Sequence, residues 1–205
     1  MILQVDNTVQ LNHTSQAMDT HDYTVSQNHE TPLPTFGLSA SDISRLAPLF
    51  QHGVRMRVAS GISVSDFLVD ELGVAPDYVR SRITTVFLNG SVVDNMETAR
   101  LSEGSCLALS AAMPGLVGAT LRTGGYYASM RESITLIEGQ ASEGTSIQSV
   151  QVTVKLFNLL IVELGPTLLA HGVALPFSEA VEFLGEQAFN LLPGSPDVWL
   201  RAVTR

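Results

Sequence analysis

Few residues in this chain have the types and spacing to do chemistry. Cys106 is the only cysteine, so neither an intrachain disulfide nor a cysteine-based metal site can form. A nucleophilic thiolate needs a basic neighbour. His52 is the nearest candidate in sequence, but Cys106 lies between apolar residues of a predicted strand and reads as a buried, inert thiol. His13, His21 and His29 recur every eight residues. Metal ligands sit closer together and on a fixed scaffold, so these three read as solvated tail histidines. His171 lies in an apolar stretch and reads as a satisfied structural histidine. The glycines of Gly115–Gly125 lack the Lys and Ser/Thr of a phosphate loop. Asp66, Asp70 and Glu71 read as the solvated face of a helix. No catalytic residue, metal site or cofactor is assigned on these grounds, and the chain is not expected to be an enzyme.

Charge narrows the classes further. The chain has 205 residues, a net charge of −9 and a pI near 4.9. It has no run of Lys or Arg to neutralise phosphates, so nucleic acid is not an expected partner. Lys155 is the only lysine; an Arg-favouring codon bias accounts for this, and avoidance of amines by a protein with an activated C-terminus is the alternative. No stretch of apolar residues is long enough to span a bilayer, and the N-terminus lacks the basic and apolar regions of a secretory signal. A cytoplasmic protein with a protein partner, and with a homodimer among the options, is the expectation. At 45% hydrophobic and 15% charged residues, most of the chain can build a core.

The elements follow from periodicity. Residues 1–40 are rich in Thr, Gln, Asn, Ser and His, and the first basic residue is Arg45; this segment reads as a flexible arm, with a short strand possible within Met1–Leu11. Ser41–Phe50 is a short helix or an irregular strand. Val54–Val58 alternates apolar and basic residues, the pattern of a half-buried strand. Ser63-Val64-Ser65-Asp66 fits a capping box, Phe67, Leu68, Val69 and Leu72 continue at helical spacing, and Gly73 is the stop. Pro76-Asp77-Tyr78 starts a helical turn. Ile83–Leu88 is a strand, Asn89-Gly90 a hairpin turn whose two positions need φ > 0, and Val92-Val93 the return. Met96–Leu101 crosses over, and Cys106–Leu109 is the last strand of a 41–114 domain. Residues 115–148 read as a Gly-rich linker. Beyond it, Val150–Phe157 alternates as a strand, Leu168–Leu175 is predicted as its return, and Phe177–Gln187 is a helix with Val181, Phe183 and Leu184 facing the core.

Two stretches carry a resemblance to a family. Val86-Phe87-Leu88-Asn89-Gly90-Ser91-Val92-Val93, followed by Leu101-Ser102-Glu103-Gly104-Ser105-Cys106-Leu107-Ala108-Leu109, resembles the second half of the ubiquitin-like β-grasp sulfur carriers of molybdopterin and thiamine synthesis. Val154-Lys155-Leu156-Phe157 through Leu164-Gly165-Pro166 looks like the opening of the same family, and Pro176–Leu184 like the start of its helix. The resemblance implies an α+β fold: a ubiquitin-like β-grasp with a second partial or composite unit at 149–205. Two strands and a helix do not bury a stable core alone, so that unit must pack on the first domain, donate strands to it or pair with another chain.

The resemblance also implies where chemistry would lie. Carriers of this family are activated at a C-terminal Gly-Gly, whose missing Cβ atoms let the tail thread a narrow channel. This sequence ends in Val203-Thr204-Arg205, and its diglycine is internal: Leu121-Arg122-Thr123-Gly124-Gly125. Gly-Gly is also common in loops. The expected function is therefore a non-enzymatic β-grasp carrier or protein-interaction module. The alternatives are a sulfur carrier activated by cleavage after Gly125, and an assembly protein dimerising by strand exchange.

Overall fold

Val54, Met56 and Val58 are buried while Arg55, Arg57 and Ala59 between them are not, so strand β2 (Val54–Ala59) gives one face to a core and the other to charge. The same alternation recurs in β6 (Ser149–Phe157), where Val152, Val154 and Leu156 are buried. The computed structural model describes residues 35–38, 45–111, 115–126, 149–184 and 197–204. Chain order is β1 (Thr35–Leu38), α1 (Ala47–His52), β2, α2 (Val64–Asp66, running into a π-helical turn Phe67–Glu71), α3 (Pro76–Arg82), β3 (Thr85–Leu88), β4 (Ser91–Val92), β5 (Cys106–Ser110), α4 (Gly115–Leu121), β6, α5 (Leu160–His171), β7 (Val173–Pro176), α6 (Phe177–Leu184) and β8 (Asp197–Thr204).

Local chemistry accounts for several boundaries. Ser63 caps α2, its hydroxyl accepting the Asp66 N–H at 2.9 Å, as the capping-box reading requires. The Leu72 N–H then reaches back to the Phe67 carbonyl at 3.0 Å, closing the π turn. Asn89 and Gly90 take φ of 53° and 83°, the left-handed pair that a two-residue hairpin turn demands. The Asn89 side chain also accepts the Cys106 N–H at 2.8 Å, tying the turn to the start of β5.

The described strands form one mixed sheet of eight, in the order β1-β8-β7-β2-β6-β5-β3-β4. The order is far from chain order, and β6 explains why. It lies between β2 and β5, antiparallel to the first (Val54↔Val154, Met56↔Val152) and parallel to the second (Cys106↔Thr153, Ser110↔Phe157). β5 runs antiparallel to β3, and β3 to β4. On the other side β7 pairs with β2, β8 with β7, and β1 with β8 in parallel. Residues 32–205 form one compact unit. Phe50, Met56, Phe67, Leu107, Leu156 and Leu168 are fully buried in its core cluster, so residues from both ends of the unit share one apolar interior.

Several sequence expectations change. Thr35–Leu38, assigned to the arm, is a strand paired with β8. Gly115–Leu121, assigned to the linker, is helical. Leu168–His171, expected in a return strand, ends helix α5, and the strand is Val173–Pro176. The Leu164-Gly165-Pro166 stretch lies inside that helix, where Leu160, Ile161, Leu164, Leu168 and Leu169 are all buried. Among the described side chains of α6, Ala180 is buried and Phe183 packs partly buried against the core as expected, whereas Val181 is 39% exposed. The fold is mixed α+β as expected. The Met1–Leu11 strand lies outside the described residues.

Candidate functional site

The internal diglycine sits at the end of α4. Gly124 has φ +61°, the left-handed conformation that ends helices without a Cβ penalty. The Gly125 N–H donates to the Arg122 carbonyl at 3.0 Å, so the two glycines form a turn. Two bonds hold it to the sheet: the Thr123 N–H donates to the Thr84 carbonyl at 2.8 Å, and the Gly124 N–H to Asp94 Oδ1 at 3.0 Å. Tyr126, the next residue, is 92% exposed.

The other singled-out residues are scattered. Cys106 begins β5 and is half-buried, more accessible than its apolar neighbours predicted. His52 ends α1, whose Leu49 and Phe50 are buried, and no hydrogen bond or ion pair joins it to Cys106. Instead it lines a cleft of about 520 Å³ between α1 and α6, whose other walls include Arg45, Leu49, Glu179, Glu182 and Phe183. His171 is half-buried at the end of α5. Asp66 and Asp70 are exposed, but Glu71 is half-buried and its Oε1 accepts the Ala59 N–H at 3.1 Å. His13, His21 and His29 lie outside the described residues. Among the described residues no three His, Cys, Asp or Glu side chains gather as metal ligands, and no helix is long and apolar enough to cross a membrane.

Two polar arrangements were not legible from spacing. The first joins α3 to α5. Tyr78 donates its hydroxyl to Glu163 Oε2 at 2.5 Å, and Arg82 donates Nε to Oε2 at 2.9 Å and to Oε1 at 3.2 Å, with its Nη2 also on Oε1. Arg82 first, and then the Tyr78 hydroxyl, lower Glu163 to about 2. Burial first, and then the bond to Glu163, push Tyr78 well above the usual phenol range. The partners are about eighty residues apart in the chain, so no local pattern announces them.

The second lies on the sheet face opposite the core. Pairing puts Cys106, Thr153, Arg55, Ala174 and Trp199 in one row across β5, β6, β2, β7 and β8. Arg55 forms an ion pair with Asp197, and the Arg57 guanidinium stacks 4.3 Å over the Trp199 ring centroid. Lys155 lies one position further along β6 on the same face, its stem packed over Gly53. Arg201 follows Trp199 on β8 and donates to the His171 carbonyl at 3.3 Å.

No family model, curated protein or solved structure matches the chain.

Proposed function

We propose that this chain is a non-enzymatic protein-interaction module built on a composite β-grasp core and acting in the cytoplasm. The observation that carries the reading is the place of β6. With β6 between β2 and β5 and parallel to β5, the run β2-β6-β5-β3-β4, with α2 crossing from β2 towards β3, resembles the strand arrangement of ubiquitin-like domains. In that comparison β6 supplies the first strand of the grasp and β2 the second. The partial unit after residue 148 is then a donor of strands to the N-terminal part.

The carrier alternative meets a physical obstacle in the same strand. Cleavage after Gly125 would separate β2, β3 and β5 from β6, which is hydrogen-bonded between two of them. A carrier released that way would leave its central strand behind. Purification of the tagged full-length chain from its own cells, followed by reconstitution with each purified candidate, tests the proposal. It expects a stoichiometric complex with one protein and no small-molecule turnover. A chain that forms no complex with any recovered protein overturns it. Intact mass from the same cells tests the alternative, which predicts a species ending at Gly125.

A further inference from the structure

The second face of the sheet runs against the charge of the whole chain. It presents Arg55, Arg57, Lys155 and Arg201 in a protein of net charge −9; among the described residues the carboxylates beside them are Asp197, on Arg55, and Glu103 at the edge, held by the N–H of Gln151 opposite Arg57. Asp197 is taken up by Arg55. Arg57 has its stacking contact with Trp199 and no ion pair among the described residues. Lys155, the chain's only lysine, is half-buried, and its side chain has neither an ion pair nor a hydrogen bond among the described residues. With its stem packed over Gly53, Lys155 carries an ammonium to which the described residues offer no counter-charge, so a carboxylate from outside can pair with it. The surrounding row offers Trp199, Ala174, Thr153 and Cys106, an aromatic and small-residue floor of the kind that anchors interfaces. The opposite end of the face is closed, since Thr85 and Ser110 are buried there.

We infer that this cationic, Trp199-centred face is the docking surface for an acidic segment of a partner protein, whose carboxylates pair with Lys155, Arg57 and Arg201 while an apolar side chain packs on Trp199. The inference rests on the interaction-module reading above and names the surface and the chemistry of the partner. Charge complementarity selects the occupant. The four cations are spread over three strands and form no continuous phosphate track, and the net charge of −9 repels a polyanion at long range. A short acidic peptide feels mainly the local field.

Trp199 is the chain's only tryptophan, so its fluorescence reports directly on the face. Full-length protein is titrated at low salt with a glutamate-rich peptide carrying spaced leucines, with a lysine-rich peptide of the same length, with single-stranded RNA and with phosphatidylserine vesicles. The expected result is a saturable Trp199 change with the glutamate-rich peptide, weakened by added salt and reduced about tenfold or more by Lys155→Glu. Arg57→Gln should weaken it similarly, and circular dichroism of both variants checks that they are folded. No response to the acidic peptide, a response unchanged in folded Lys155→Glu, or tighter binding of RNA or vesicles than of the peptide overturns the inference. A partner from the reconstitution experiment that binds Lys155→Glu and Arg57→Gln as well as the natural chain also overturns this face while leaving the interaction reading intact; the absence of any partner removes that reading instead.

Discussion

Gly165 of α5 faces the ring of Phe50 of α1 so closely that a Cβ on Gly165 would stand 2.8 Å from Phe50 Cε2 and 3.0 Å from Cζ. Phe50 is fully buried and has no room to withdraw. Alanine at position 165 gains about 1 kcal/mol of helix propensity, but forcing a methyl against an immobile ring costs about 1–3 kcal/mol. The clash should win, and Gly165→Ala should destabilise by roughly 1–2 kcal/mol in urea unfolding. Phe50→Leu alone leaves a cavity and is also destabilising, yet the double variant should lose less than the sum. A double-mutant cycle with no coupling would mean that the two helices do not meet here.

The Tyr78–Glu163–Arg82 cluster predicts a pH dependence with a definite sign. Glu163 is held at about 2 in the folded chain against 4.5 ordinarily. Its contribution is therefore complete above pH 4.5 and declines as pH falls from there through 2. The Glu163 side chain is 30% exposed, so screening keeps the contribution to about 1 kcal/mol or less. Tyr78 is raised above 10, so its contribution is complete below pH 10 and is lost as pH rises beyond it. Glu163→Gln should flatten the acid limb of a stability–pH curve, and Tyr78→Phe the alkaline limb. An acid limb identical in Glu163→Gln and the natural chain would show that other carboxylates set it.

At the hairpin, Asn89 has two separable roles. Its φ of 53° favours Asn or Gly, and its Oδ1 accepts the Cys106 N–H at 2.8 Å. Asn89→Gly keeps the first role and loses the second; Asn89→Ala loses both. The expected order of stability is natural chain, then Gly, then Ala, with the alanine variant lower by about 1–2 kcal/mol. Equal losses for the two variants would assign the whole effect to the side-chain bond.

The parts of the fold legible in the sequence are those set by local chemistry. The Ser63 cap, the Asn89-Gly90 turn and the alternation of Val54–Val58 and Val150–Phe157 each depend on a few adjacent residues. Helix α5 was illegible because Gly165 and Pro166 are helix breakers by local preference. It forms because five apolar side chains at helical spacing are buried together, which outweighs one missing backbone bond. Thr35–Leu38 gave no signal because its pairing with β8 crosses most of the chain. The cationic face was hidden for a related reason. Arg55, Lys155 and Trp199 become neighbours only through strand pairing, and each alone reads as one polar position in an alternating strand.

The sharpest test of the composite core is a cut. With β6 lying between β2 and β5, the chain on either side of Gly125 holds only part of one sheet. A protease site inserted after Gly125, where Tyr126 is 92% exposed, should allow cleavage of the folded protein. The two fragments should then remain a one-to-one complex in size-exclusion chromatography, because breaking it would expose Val154 and Leu156 together with Met56 and Leu107, all fully buried. Residues 1–125 expressed alone should lack a cooperative transition and should recover one when the 126–205 fragment is added. A separately stable 1–125 fragment with a sharp thermal transition would mean that β2 and β5 do not need β6, and the composite core would be wrong.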